Sequence, residues 1–203
     1  DLQSKEADKK HTEAELQNLR QQLNPHFLFN TLNNIYSLIA ISPEKAQSVV
    51  LDLSKLLRYV LYENDAEKVA LSREMNFIVN YVELMRIRLT SDVEVKMKVE
   101  SVTESKLEIA PMLFITLVEN AFKHGVSPNN RSFINIDIHI TDNKRLICTI
   151  KNSYFPKTET DRSGSGIGLE NLRRRLGLLY PERYTFTNTI ENDVYTSELT
   201  ILL

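Results

Sequence analysis

The chain has a single cysteine, Cys148, among 203 residues, so no disulfide can form within it. That thiol sits in an alternating apolar run and reads as buried packing. No apolar stretch approaches the length needed to cross a bilayer, and no signal peptide is visible. An excess of basic charge is also missing: 25 Lys and Arg against 27 Asp and Glu leave a formal charge of −2. The general positive field of a protein that grips nucleic acid or an anionic membrane is therefore excluded. Glycine is scarce, five in all, and three of them (Gly164, Gly166 and Gly168) alternate along one short stretch. What remains, 42% hydrophobic and 26% charged residues, is ordinary for a globular protein of one or two domains. The chain opens at Asp1 in mid-helix composition, from which we expect a fragment whose membrane anchor, if any, lies upstream.

Hydrophobic spacing divides the chain. Residues 1–20 are charged with sparse leucines, fitting an exposed linker helix or a coiled coil with a second copy. Leu16, Leu19 and Leu23 precede the stretch Asn24-Pro25-His26-Phe27-Leu28-Phe29-Asn30, and Leu28, Leu32, Ile35 and Ile39 follow on one expected apolar face. A helix through this stretch should kink at Pro25, which has no N–H for the Gln21 carbonyl. His26, Asn30, Asn33, Asn34 and Ser37 share a polar stripe. On its own, that stripe also fits an incidental exposed histidine. Ser42-Pro43-Glu44 reads as a capped helix start, and Val49, Leu53, Leu56, Leu57, Val60 and Leu61 should pack that helix back on the first. Two copies of such a hairpin would complete a four-helix bundle.

After a polar connection at 63–70, Ser72 should open a helix running to about Leu89. Val93, Val95, Met97 and Val99 alternate with charged residues as a half-buried strand. Pro111 is expected to open an apolar helix that ends near Gly125. Strands follow at 134–140, 146–150, 184–190 and 195–203, the last two joined by a turn at Glu191-Asn192-Asp193, with a helix at 167–179. The fold class is α+β: a helical region to residue 90, then from residue 91 to 203 a sheet covered on one face by helices.

Two further stretches bear chemistry. In Val118-Glu119-Asn120-Ala121-Phe122-Lys123-His124-Gly125, Glu119, Asn120 and Lys123 stand one turn apart at a helix end. An amide oxygen suits Mg²⁺ and an ammonium suits phosphate, although an ordinary polar helix face has the same pattern. Ser163-Gly164-Ser165-Gly166-Ile167-Gly168-Leu169 precedes a helix, where bare backbone and a helix N-terminus favour an anion. It is neither a dinucleotide fingerprint nor a P-loop, since the flanking strand, acid and Lys-Ser/Thr are missing. Residues 153–163 read as a mobile lid. Arg173, Arg174 and Arg175 can reach phosphate, but such runs are usually solvated faces.

Taken together, the stretch from Leu23 to Asn33, the Val118 to Gly125 motif, and Gly166-Ile167-Gly168-Leu169-Glu170-Asn171-Leu172-Arg173-Arg174-Arg175-Leu176 resemble the H, N and G boxes of LytS/YehU-type sensor histidine kinases. Leu56-Leu57-Arg58-Tyr59 and Tyr81-Val82-Glu83-Leu84 extend that resemblance over about residues 16–203. It implies dimerisation and histidine phosphotransfer helices over 21–90 and a Bergerat/GHKL-type ATP-binding α/β sandwich over 91–203. By motif position, His26 is the phosphoacceptor, Asn120 the Mg²⁺ ligand, Lys123 a phosphate contact, and Gly164, Gly166 and Gly168 the ATP-lid backbone. The cofactors implied are ATP and Mg²⁺. The partners implied are a second copy and a response regulator, commonly one with a LytTR DNA-binding domain, with no direct nucleic-acid contact. A cytoplasmic location is implied, with any membrane attachment upstream.

Two departures from the family pattern stand out. Phe27 occupies the position where many histidine kinases carry an acid after the histidine, so Asn30, one turn on, becomes the candidate orienting group and Glu119 a second polarising one. Asn152, in Lys151-Asn152-Ser153, replaces the aspartate that usually contacts adenine, and it accepts without a full charge. The competing expectations are an ATPase of the same fold without phosphotransfer, and a degenerate dimeric scaffold.

Overall fold

The computed structural model describes residues 5–6, 25–63, 66–102, 106–156 and 166–203. The expected coiled coil and the helix entering Pro25 fall largely on 7–24, and most of the lid expected at 153–163, with Gly164, falls on 157–165; these lie outside the described residues, while Ser153 of that stretch is a buried strand residue. The chain divides into two compact units, 1–66 and 67–203.

In the first unit, α1 (Pro25–Ile41) and α2 (Pro43–Arg58) are joined by Ser42 alone, and a π-helical turn, Tyr59–Glu63, follows. Pro43 enters α2 where its missing N–H costs nothing. Glu44 in the first turn and Lys55 and Arg58 in the last complement the helix dipole. Ser42 holds the cap position, but its side chain makes no capping hydrogen bond. The two helices pack through Phe27, Thr31 and Ile35 on α1 and Ala46, Val49, Leu53 and Leu56 on α2, all buried. Thr31 satisfies its buried hydroxyl by donating to the Phe27 carbonyl at 2.8 Å.

This corrects the apolar face expected for α1. Ile35 faces inward, but Leu32 and Ile39 are each more than half exposed, together with Phe29 and Tyr36. The helix is apolar on two sides, so periodicity alone names two candidate faces. The position of α2 selects the one through Phe27.

The second unit starts with β1 (Val69–Ala70) and α3 (Leu71–Arg86). Leu71, Met75, Ile78 and Val82 are buried there, so the structural division falls at residue 66 and not at residue 90. A periodic helix announces that it has an apolar face, but not which neighbour will cover it. After α3 come β2 (Val93–Val99), β3 (Glu108–Ile109), α4 (Phe114–His124), β4 (Ser132–Ile140), β5 (Arg145–Ser153), α5 (Ile167–Leu179), β6 (Tyr184–Glu191) and β7 (Val194–Leu202). The short β1–β3 antiparallel pair was not anticipated. The main sheet has the order β2-β4-β5-β7-β6. Its β2 and β4 are parallel, as a crossover through α4 requires, and the other neighbours are antiparallel.

Register sets the two faces of the sheet. Ile136 pairs with Ile150, and Ile150 with Ser197; Ile138 pairs with Cys148, and Cys148 with Leu199. These positions are buried. The alternate residues Lys96, Asn135, Thr149 and Glu198 lie on the opposite, polar face. Cys148 is fully buried, and burial pushes its thiol pKa up, in keeping with packing. The β6–β7 hairpin turns at Asn192 (φ 50°) and Asp193 (φ 58°), the left-handed pair that a two-residue turn needs.

The entry to α4 also differs from expectation. Pro111 lies in a turn before the helix, and Met112 within that turn adopts φ 63°. At the other end, Gly125 is a right-handed residue (φ −92°), so its role is not conformational. A Cβ there would lie 2.6 Å from the Ala121 carbonyl oxygen and 2.7 Å from the Asn152 Cβ. Gly125→Ala is expected to destabilise the second unit by about 1–3 kcal/mol through overpacking, measured as a lowered urea midpoint with unchanged m-value.

Candidate functional site

Helix α4 is the spine of the site. Phe114, Leu117, Val118, Ala121 and Phe122 are buried, and this fixes the helix rotation. Thr116, Asn120 and Lys123 follow at helical spacing on one stripe, with Glu119 beside it. Asn120 is half-buried and Lys123 exposed.

Two other elements meet α4 at its two ends. At the C-terminal end, Asn152 on β5 lies against Gly125 and is only 2% exposed. Its Nδ2 donates to the Ser153 carbonyl at 2.9 Å, leaving the amide oxygen as the group with acceptor capacity. Near the N-terminal end, a Cβ on Gly168 would sit 3.4 Å from the Thr116 Cγ2. Thr116 is one turn before Asn120, so the start of α5 approaches the α4 stripe. Gly166 caps α5 at φ 116°, a value that suits glycine. Gly166 has no side chain with which to cap this helix end, and a helix N-terminus of this kind suits an anion.

Glu119 carries the unusual electrostatics. Its Oε1 is buried and has no hydrogen-bond partner among the described residues. Burial raises its pKa, the Lys123 ammonium lowers it by less, and the result is about 7. The carboxyl therefore exchanges its proton near neutrality. Tyr81 on α3 lies within its field: burial raises the phenol pKa and the Glu119 charge adds to that shift.

The donor set fits a nucleotide carrying a hydrated Mg²⁺. Among the described residues there is no cluster of three or more His, Cys, Asp or Glu able to hold a metal. Mg²⁺ commonly takes one or two protein oxygens and completes its shell with phosphate and water. The Asn120 side chain carries one oxygen of that type.

The structure thus gathers Glu119, Asn120, Lys123, Asn152, Gly166 and Gly168 within the second unit. Gly164 lies outside the described residues. His26 and Asn30 are both in α1 of the first unit, one turn apart, and Asn30 is half-buried. The arginine run divides by role. Arg173 stacks over the Phe186 ring at 4.3 Å and donates to the Phe186 carbonyl at 2.9 Å. Arg175 donates to the Pro111 and Met112 carbonyls, while Arg174 is exposed. Sequence reasoning left this run unassigned, because spacing cannot say which arginine faces protein.

A family model described as histidine kinase matches residues 14–93. Over 188 residues the chain is 30% identical to the sensor protein LytS of Oceanobacillus iheyensis, covering 86% of this chain and 32% of that protein. Over 114 residues it is 42% identical to the sensor protein kinase HptS of Staphylococcus aureus, covering 56% of this chain and 21% of that one. The chain therefore spans about a third or less of the length of these curated relatives. The histidine kinase domain of the blue-light activated histidine kinase from Erythrobacter litoralis EL346 superposes with a TM-score of 0.53 over 96% of both chains at 15% identity, a likeness of fold. With the histidine motif inside the matched segment and LytS likeness running through the asparagine and glycine motifs, the chain belongs to the histidine kinase family.

Proposed function

We propose that this chain is the catalytic core of a sensor histidine kinase in a two-component system, using ATP to phosphorylate its own His26 and passing the phosphoryl group to a response-regulator aspartate. The observation that carries the reading is the span along α4. Asn152 sits at one end as an uncharged acceptor for an adenine amino group, and the glycine-capped N-terminus of α5 sits near the other as a phosphate cradle. Asn120 and Lys123 lie on the stripe between them.

In this reading a neutral His26 ring nitrogen attacks the γ-phosphoryl group. The N–P bond forms as the bond to the ADP oxygen breaks, and the ring sheds its N–H proton. Asn30, one turn on, is a positioning residue that holds the ring tautomer. Glu119, with a pKa near neutrality, is suited to take the proton. Lys123, Gly164, Gly166 and Gly168 bind phosphate, and Asn120 is the protein ligand to Mg²⁺. The metal, when bound, offsets phosphate charge that opposes attack.

The stripe of Phe29, Leu32, Tyr36 and Ile39 left exposed on α1 supports a dimer in which a second copy covers it. The LytS likeness favours a regulator with a LytTR DNA-binding domain. The setting is cytoplasmic, where ATP and such a regulator are found, with membrane attachment supplied by a longer protein.

Incubation with γ-labelled ATP and Mg²⁺ should give an acid-labile, base-stable phosphoprotein, and His26→Ala should abolish it. Label on Ser or Thr, or label retained in that variant, would overturn the reading. An ATPase without phosphotransfer would instead release ADP equally well from both proteins, and a scaffold would show no ATP binding by calorimetry.

Glu119→Gln should slow autophosphorylation by about 10²–10³-fold at neutral pH. The same substitution has a stability signature. Because the folded-state pKa of Glu119 is about 7, above its ordinary value of 4.5, the folded chain holds this proton more tightly than the unfolded one. The resulting stabilisation is complete below the ordinary value and is lost as pH rises through 7. Relative to Glu119→Gln, the unaltered chain should lose stability between about pH 5 and pH 8 in urea titrations.

A further inference from the structure

The turn that feeds α4 is held by three side chains from two places in the chain, Glu74 on α3 and Arg175 and Tyr180 at the end of α5. The Ala110 N–H donates to the Tyr180 Oη at 2.8 Å, and the Met112 N–H donates to the Glu74 Oε2 at 3.2 Å. Arg175 donates to the Pro111 carbonyl at 2.7 Å through Nη2 and to the Met112 carbonyl at 3.2 Å through Nη1. Glu74 is 0% exposed, and its charge acts on the Arg175 guanidinium. Between these ties Met112 keeps a left-handed backbone at φ 63°, which a bulky residue adopts only when its surroundings impose it.

We infer that Arg175 is a positioning residue for the nucleotide site, locking the helix after the glycine loop to the turn that sets the rotation of α4. Helix α5 touches α4 at Gly168 against Thr116 and touches the α4 entry turn at Arg175. Successive residues of a helix point about 100° apart. A small slip of the entry turn therefore moves Asn120 and Lys123 relative to the α5 N-terminus. The planar fork of Arg175 spans two successive carbonyls, which the single ammonium of a lysine cannot do. Arg173 on the same helix is the internal contrast, because it ties α5 to Phe186 of β6 and leaves the α4 turn alone.

The inference rests on the reading of α4 and α5 as an ATP site, so the test begins with ATP–Mg²⁺ binding to the full chain. Arg175→Lys keeps the charge beside Glu74 but not the fork. It is expected to raise both the dissociation constant and the KM for ATP about tenfold, while kcat at saturating ATP stays within about threefold, since bound nucleotide restores the alignment. Arg173→Lys should leave the KM within about twofold at a comparable thermal midpoint. If Arg175→Lys melts below the assay temperature, the pair Glu74→Gln with Arg175→Gln removes both charges together and should show the same rise in KM. Unchanged ATP affinity in the Arg175 variants, or an equal loss in Arg173→Lys, overturns the positioning role alone. A wild-type chain that binds no ATP overturns the nucleotide reading and this inference together.

Discussion

The candidate site depends on the seating of one helix on one sheet. Helix α4 buries Phe114, Leu117, Val118 and Phe122, large side chains each contributing about 1.5–3 kcal/mol on removal from water. Gly125 lets the end of that helix approach Asn152 more closely than any side chain would allow. Once the apolar side is committed to the sheet, Asn120 and Lys123 have only the opposite stripe to occupy. The core thus aims the chemistry, and at the helix entry a left-handed Met112 costing roughly 1–2 kcal/mol is tolerated.

The two units are closed to different degrees. In the second, helices cover one sheet face while the other carries polar residues suited to water. The first leaves Phe29, Leu32, Tyr36 and Ile39 uncovered. A contiguous apolar stripe of this kind is unfavourable in water, and it is the observation behind the proposed dimer. The unit that carries His26 is therefore the one with the larger exposed apolar stripe among the described residues.

Buried charge follows two patterns in the second unit. Glu74 is wholly buried, and its Oε2 accepts from the Met112 N–H within the field of the Arg175 guanidinium. Glu119 has a buried oxygen without a hydrogen-bond partner among the described residues, and its pKa rises to about 7. The first is thereby tied to the turn that feeds α4. Burial holds the proton of the second on its carboxyl up to near neutrality.

Local pattern was enough to read the helices at 43–58, 71–86 and 167–179, the alternating strands and the β6–β7 turn, because each reflects a periodicity or a backbone preference carried by neighbouring residues. The three motifs were legible for the same reason, since Asn24 to Asn30, Val118 to Gly125 and the glycine run are continuous in the chain. Local pattern does not encode which surface meets which. Hence the inward face of α1 runs through Phe27 and not Leu32, α3 belongs with the sheet, and Pro111 stands in a turn before its helix. Only tertiary structure brings Asn152 under Gly125, buries Glu119 deeply enough to hold a proton, and carries Arg175 from the end of the glycine motif to the carbonyls of Pro111 and Met112. Each of these depends on contacts between residues far apart in the chain, and burial and electrostatic field are properties of that assembled neighbourhood.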